Sequence, residues 1–125
     1  MPKLEFLDHV AIRVKDPVAS AQWYEKVLGL LRVQPEEWSP FPIMMLAGDS
    51  GIALFSDNGS PVSEDSRASF HFAFRVESGG LEALKKKLGE RNVAFTEEDH
   101  TYFQSVYFND PDGFRLEVTM KILDF

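Results

Sequence analysis

His9 and His71 open the same six-residue phrase: residues 9–14 read H-V-A-I-R-V and residues 71–76 read H-F-A-F-R-V. The phrases are offset by 62 residues, and the same shift carries Leu46 to Phe108, Gly51 to Gly113, Leu54 to Leu116 and Phe55 to Glu117. A repeat of this kind means one structural unit made twice, so the two histidines are expected at equivalent places. Strand parity adds a third donor. In a strand over 114–121, Arg115, Glu117 and Thr119 share one face, opposite Leu116, Val118 and Met120, which turns Glu117 to the histidine side. Two neutral imidazoles and one carboxylate suit a single divalent transition ion and leave positions open for substrate. Fe(II), Mn(II), Zn(II), Co(II) and Ni(II) all fit such a set. The spacing is not a local metal motif, so the residues alone leave open a plainer reading in which these histidines are structural.

The elements that must position this trio follow from periodicity. Residues 4–14 read as a strand with Val10, Ile12 and Val14 on one face and His9, Ala11 and Arg13 on the other. Asp16-Pro17 starts a helix that ends near Leu28 at Gly29. Leu30–Val33 is a strand, the Pro-rich stretch 34–42 a loop, and Phe41–Ala47 with Gly51–Ser56 a hairpin. Residues 57–69 are polar and read as a linker. The second half repeats the order: a strand at Phe70–Val76, a helix at Gly80–Leu88, a strand at Val93–Thr96 and a loop at 97–101. Tyr102–Asn109 and Phe114–Lys121 then pair across Asp110-Pro111-Asp112-Gly113, a type I turn by its Pro and Gly positions. That turn sets the register of Glu117; a slip of one residue would turn it away. The expected fold is α+β, one domain made of two βαβββ modules (4–56 and 70–121), with mixed sheets curled around a metal-binding cleft. Each module alone is of marginal size, so the two are expected to share a core.

Composition narrows the function. The net charge is −7 and the Lys and Arg residues are scattered, so no basic stripe for nucleic acid is present. With no cysteine, disulfides, thiol nucleophiles and thiolate metal ligands are excluded. No apolar run approaches the roughly 20 residues of a membrane span, and the N-terminal residues lack a signal-peptide core. The expectation is a cytoplasmic protein with a small-molecule partner and neither a nucleic-acid nor a membrane partner.

Four stretches, D-H-V-A-I-R-V (8–14), W-Y-E-K-V-L-G (23–29), F-H-F-A-F-R-V (70–76) and S-V-Y-F-N-D-P-D-G-F-R-L-E-V (105–118), resemble the vicinal oxygen chelate superfamily. That superfamily includes glyoxalase I, extradiol ring-cleaving dioxygenases, fosfomycin-resistance enzymes and bleomycin-binding proteins. The resemblance implies His9, His71 and Glu117 as metal ligands, a substrate with vicinal oxygens, and a homodimer. Glyoxalase I-like members carry a fourth ligand, a glutamate, at a position the repeat assigns to Phe55; Glu36, Glu37 or a partner chain remain as other sources. Without it the site resembles the three-ligand type of extradiol and fosfomycin enzymes. Glu97, Glu98 and Asp99 would repel the anion of a fosfomycin-type substrate. Tyr107, ten residues before Glu117, and His100 in the preceding loop resemble the acid–base residues of extradiol enzymes. The expected activity is therefore a dioxygenase-type oxidation with Fe(II) or Mn(II). A glyoxalase-like lyase or isomerase is the alternative, and a non-catalytic small-molecule binder the second alternative. Arg13 and Arg75 are expected to pair with nearby carboxylates such as Glu117 or to orient an anionic substrate. Ile43, Met45, Ala53 and Phe55 are expected to line the cleft, and Trp38 and Phe41 to cover it.

Overall fold

Alternating apolar side chains over His9–Val14 form strand β1, with Ile12 and Val14 buried and His9, Ala11 and Arg13 exposed. The computed structural model to which this strand belongs describes residues 1–124. Helix α1 (Pro17–Leu28) starts where the sequence predicts: the Asp16 carboxylate accepts the Ala19 N–H at 3.1 Å and Pro17 occupies the first turn. It stops at Gly29, whose left-handed backbone (φ 66°) lets its N–H cap the last turn. β2 (Leu31–Val33), β3 (Ile43–Ala47) and β4 (Ser50–Ser56) follow, with a short 3-10 turn at Glu36–Trp38 inside the Pro-rich loop. The sheet order is β1-β4-β3-β2; β1 runs parallel to β4, and the other neighbours are antiparallel. Helix α1 packs on β3 and β4. Its buried Ala21, Tyr24 and Val27 form a core with Ile12, Val14, Ile43, Met45, Ile52 and Leu54.

The second half builds the same plan. A short helix α2 (Glu64–Ala68) is followed by β5 (His71–Arg75), α3 (Gly80–Glu90), β6 (Phe95–Asp99), β7 (Phe103–Asn109) and β8 (Arg115–Lys121). The order β5-β8-β7-β6 reproduces that of the first sheet, again with one parallel pair. Helix α3 packs on β7 and β8 and buries Leu81, Leu84 and Leu88 with Phe72, Val106, Phe108, Leu116 and Val118. The α+β class and the doubled βαβββ order are thus as expected: two open four-stranded mixed sheets and, among the described residues, three α-helices. The chain divides into two compact units, Met1–Val62 and Ser63–Phe125. Among the described residues, no helix is long and apolar enough to cross a membrane.

Three expectations change. β1 begins at His9, not at residue 4. The stretch 57–69 contains α2, nucleated by Ser63, whose hydroxyl accepts the Ser66 N–H at 3.1 Å. Residues 97–99 are strand rather than loop, because β6 pairs with β7 through Asp99↔Gln104; backbone pairing outweighs the poor strand propensity of Glu and Asp.

Candidate functional site

The site in the second unit is built by register. Glu117 on β8 lies opposite Ala73 on β5 and Tyr107 on β7, while Thr119 lies opposite Ser105. All therefore share one face with His71. The Asp110–Gly113 turn holds this register. The Gly113 N–H reaches the Asp110 carbonyl at 3.0 Å, and the buried Asp110 carboxylate accepts the N–H groups of Asp112 and Phe114 at 2.9 and 2.8 Å.

Glu117 is only 8% exposed, and a buried carboxylate is costly unless its lone pairs are filled. Here they are filled. His71 Nε2 lies 2.8 Å from Oε1. The Ser105 hydroxyl donates to Oε2 at 2.6 Å and is itself 2.8 Å from the Thr119 hydroxyl. Tyr107 also hydrogen-bonds Glu117; burial, then the Glu117 charge and that hydrogen bond, push the phenol above its ordinary pKa, so it stays a donor at neutral pH. Its oxygen lies 2.8 Å from His100 Nε2, which also stands 3.2 Å from Glu98 Oε2. The result is a continuous path, His100–Tyr107–Glu117–His71, running from two exposed imidazoles to a buried carboxylate.

In the first unit, His9 donates from Nδ1 to the Asp8 carboxylate at 2.7 Å. This orients the ring and leaves Nε2 as the lone-pair nitrogen, the arrangement found behind most metal-bound histidines. Among the described residues, no three His, Cys, Asp or Glu side chains are gathered where they could hold a metal ion. The His71–Glu117 pair nevertheless suits one. Their donor atoms lie 2.8 Å apart on one face, so one divalent ion would be held by both. An imidazole nitrogen and a carboxylate oxygen are donors that the borderline divalent ions accept.

Register corrects several sequence expectations. The offset of 62 holds between β1 and β5, but β4 and β8 are related by 64: His9 pairs with Gly51 and His71 with Arg115. The counterpart of Glu117 is therefore Ala53, not Phe55, and Gly113 belongs to the turn while Gly51 lies within β4. Ala53 cannot ligate either. Ile43 and Met45 pair with Leu54 and Ile52, which puts them on the helix-covered face, away from His9. Met44 and Leu46 take their expected place beside Ala53 and Gly51. Phe55 does share the His9 face, opposite Arg13, and is exposed. Trp38 and Phe41 are exposed. Neither arginine pairs with Glu117: Arg75 lies over the Phe103 ring at 5.4 Å, and Arg13 is exposed on β1. Glu97 and Glu98 point to opposite faces, and Glu97 is paired with Lys85 at 2.9 Å.

Sequence reasoning put Arg115 and Thr119 on the Glu117 face and Ser105 beside Tyr107, but gave none of the three a role at the site. Parity with Glu117 was the available signal for all three. Arg115 sits over the Tyr107 ring, 4.7 Å from its centre.

Comparison with known proteins matches the fold. The model of the Glyoxalase/Bleomycin resistance protein/Dioxygenase superfamily covers residues 6–118. Glutathione transferase FosA of Serratia marcescens is 27% identical over 116 residues, spanning 92% of this chain and 80% of the relative. Glyoxylase I 4 of Arabidopsis thaliana is 30% identical over 125 residues, spanning 92% and 70%. The crystal structure of a glyoxalase/dioxygenase from Nostoc punctiforme superposes with a TM-score of 0.78 at 24% identity, covering 94% of this chain and 92% of the other; that likeness is one of fold.

Proposed function

Because the chain belongs to the Glyoxalase/Bleomycin resistance protein/Dioxygenase superfamily, we propose that it is a metal-dependent enzyme for a small substrate bound through two adjacent oxygens. Ring-cleaving oxidation of a catechol-like substrate is the reaction this reading favours. The observation that carries it is the hydrogen-bonded path His100–Tyr107–Glu117–His71.

In this proposal His71 and Glu117 hold the ion, with His9 as the third donor and Fe(II) or Mn(II) as the preferred metal. When bound, the ion supplies Lewis acidity to the substrate oxygens and one-electron chemistry towards dioxygen. For His71 to bind, its Nε2 must give up the proton it now shares with Glu117 and carry its hydrogen on Nδ1 instead. Ser105 keeps Glu117 Oε2 occupied, which leaves Oε1 as the ligand oxygen. Tyr107 donates a hydrogen bond beside the bound oxygens. A proton leaving a substrate hydroxyl passes by way of Tyr107 to His100, which is accessible to solvent. Both atoms of dioxygen enter the product, and the ring bond next to the diol breaks. The same proposal takes the protein to be a cytoplasmic homodimer. The lack of cysteine and the exposed apolar side chains of Leu4, Phe6 and Leu7 support this.

The name of a relative that matches 92% of the chain, Glyoxylase I 4, favours a second reading, a glyoxalase-like lyase; that of Glutathione transferase FosA favours transfer of a thiol. One set of measurements separates them. Purified protein is expected to hold close to one transition metal per chain, and His71→Ala and Glu117→Ala to lose it while remaining folded. Oxygen uptake with catechol under Fe(II) supports ring cleavage. Turnover of a hemithioacetal with Ni(II) or Zn(II), and none of catechol, replaces it with the lyase reading. A wild-type protein that stays metal-free with every divalent ion offered ends the proposal.

A further inference from the structure

Arg115 is half-buried, and among the described residues its guanidinium has no carboxylate within ion-pair distance. The guanidinium lies over the face of the Tyr107 ring. Arg32, by contrast, is engaged by Glu25. A partly buried charge without a counter-ion is unfavourable, and it persists where something else supplies the partner. Arg115 also shares a face with His71 and Glu117: it pairs with His71 across β5 and with Asn109 across β7. Stacking on the ring fixes the guanidinium plane and leaves its N–H edge free, the presentation that binds a carboxylate through two parallel hydrogen bonds.

Space for such a partner exists. Arg115 and Asn109 form the common wall of two recesses of about 310 Å³ each. Thr96 and Tyr107 line the first; Arg67, Gly113 and Glu64 line the second. The acidic residues that sequence reading set against an anion lie elsewhere. Along β6, Phe95 is level with Phe108, next to Asn109, whereas Asp99 is level with Gln104 at the other end. Arg115 therefore marks the basic end of the face and Glu98, level with Ser105, the acidic end. A singly charged carboxylate suits a chain of net charge −7 with Glu64 at the rim better than a dianion does.

We infer that Arg115, with Asn109, is a specificity-determining residue that binds a carboxylate carried by the substrate, so that the substrate is a carboxylated compound with two adjacent oxygens. The second half of that statement rests on the function proposed above; the first does not.

The test is calorimetric titration of metal-loaded protein with three probes: catechol (oxygens alone), benzoate (carboxylate alone) and 3,4-dihydroxybenzoate (both). The expected result is that 3,4-dihydroxybenzoate binds roughly 10- to 100-fold more tightly than catechol, the range for a charged hydrogen-bonded contact. Arg115→Gln should bring that ratio to within about twofold, and Arg115→Lys should restore part of it, which loss of packing on Tyr107 alone would not do. If catechol binds and the carboxylate adds nothing, or if Arg115→Gln leaves the ratio intact, the assignment of Arg115 is overturned. If catechol fails to bind while benzoate binds in an Arg115-dependent way, the carboxylate site stands and the vicinal-oxygen reading falls. If none of the three binds, both fall.

Discussion

Ala53 on β4 and Glu117 on β8 stand at the same point of two sheets that share strand order and register: Ala53 is flanked by Ala11 and Met44, Glu117 by Ala73 and Tyr107. On the covered faces the two sheets are alike, with buried aliphatic and aromatic residues under a helix. On the other faces they have diverged. The first sheet carries the exposed His9 and Arg13 there and otherwise Ala11, Met44, Ala53 and Phe55; the second carries a buried carboxylate engaged by His71, Ser105 and Tyr107. Stability comes from the faces that match, and chemistry is concentrated on the one that does not. A duplicated unit makes this division possible, because the apolar copy has no desolvated charge to satisfy.

The sharpest way to break the contrast is to give the first sheet the residue of the second. Ala53→Glu places a carboxylate at a position 1% exposed with neither the serine nor the tyrosine that serve Glu117, Met44 standing where Tyr107 does. An uncompensated buried charge costs about 3–5 kcal/mol, so the urea midpoint should fall by a corresponding amount. A midpoint near that of the wild type would mean that the first face tolerates charge, and the division drawn above would fail. The matching faces give the next effect. Leu54→Ala and Leu116→Ala each remove a fully buried side chain from the helix side of its sheet, and each should lose about 2–5 kcal/mol. Similar losses are expected; a loss confined to one sheet would show that the two cores are not equivalent.

These positions also show what the sequence makes legible. The repeated phrase at His9 and His71 and the parity of 115–121 were enough to establish the doubled α+β plan and to place Glu117 on the His71 side. Parity survives because it depends only on each strand's own alternation. Register between strands was not legible, since it depends on how many residues each turn and loop consumes. The β7–β8 turn spans Asp110–Phe114 before ladder pairing resumes, whereas Gly48 and Asp49 suffice between β3 and β4. That difference supplies one of the two residues by which the counterpart of Glu117 moves from Phe55 to Ala53; the other enters between β5 and β7, since Met44 pairs with Ala53 where Tyr107 pairs with Glu117. For Ile43 and Met45 the error was one of face, because strand β3 contains no polar residue to mark which side is covered. Residues 97–99 hid their strand behind three acidic side chains that propensity assigns to a loop.

Ser105→Ala tests the polar face from within. It removes the hydroxyl that donates to Glu117 Oε2 at 2.6 Å and leaves that buried oxygen short of a partner, a cost of about 1–3 kcal/mol. On the first sheet, Met44→Ala changes a residue adjoining the same lattice point without unpairing any polar atom, so its cost should follow lost apolar contact alone. Under the proposed function Ser105→Ala should also weaken metal retention, read by elemental analysis after dialysis, because Oε1 is then no longer singled out as the free oxygen. If stability and metal content both stay at wild-type values, the hydrogen bond does not organise the carboxylate.

The smallest difference lies at the helix starts. Helix α1 is capped by Asp16, whose carboxylate accepts the Ala19 N–H, while α3 begins at Gly79 with no side-chain cap and a left-handed backbone at φ 87°. Asp16→Ala should therefore cost about 1 kcal/mol, measured as a shift of the urea midpoint with unchanged slope. The same strategy has no counterpart in α3. Its start is set by the backbone of Gly79, which an L side chain adopts only with strain, so Gly79→Ala should destabilise through conformation rather than through a lost hydrogen bond. If Asp16→Ala costs nothing, the two helices start alike despite their sequences, and Pro17 in the first turn of α1 is sufficient to fix its start.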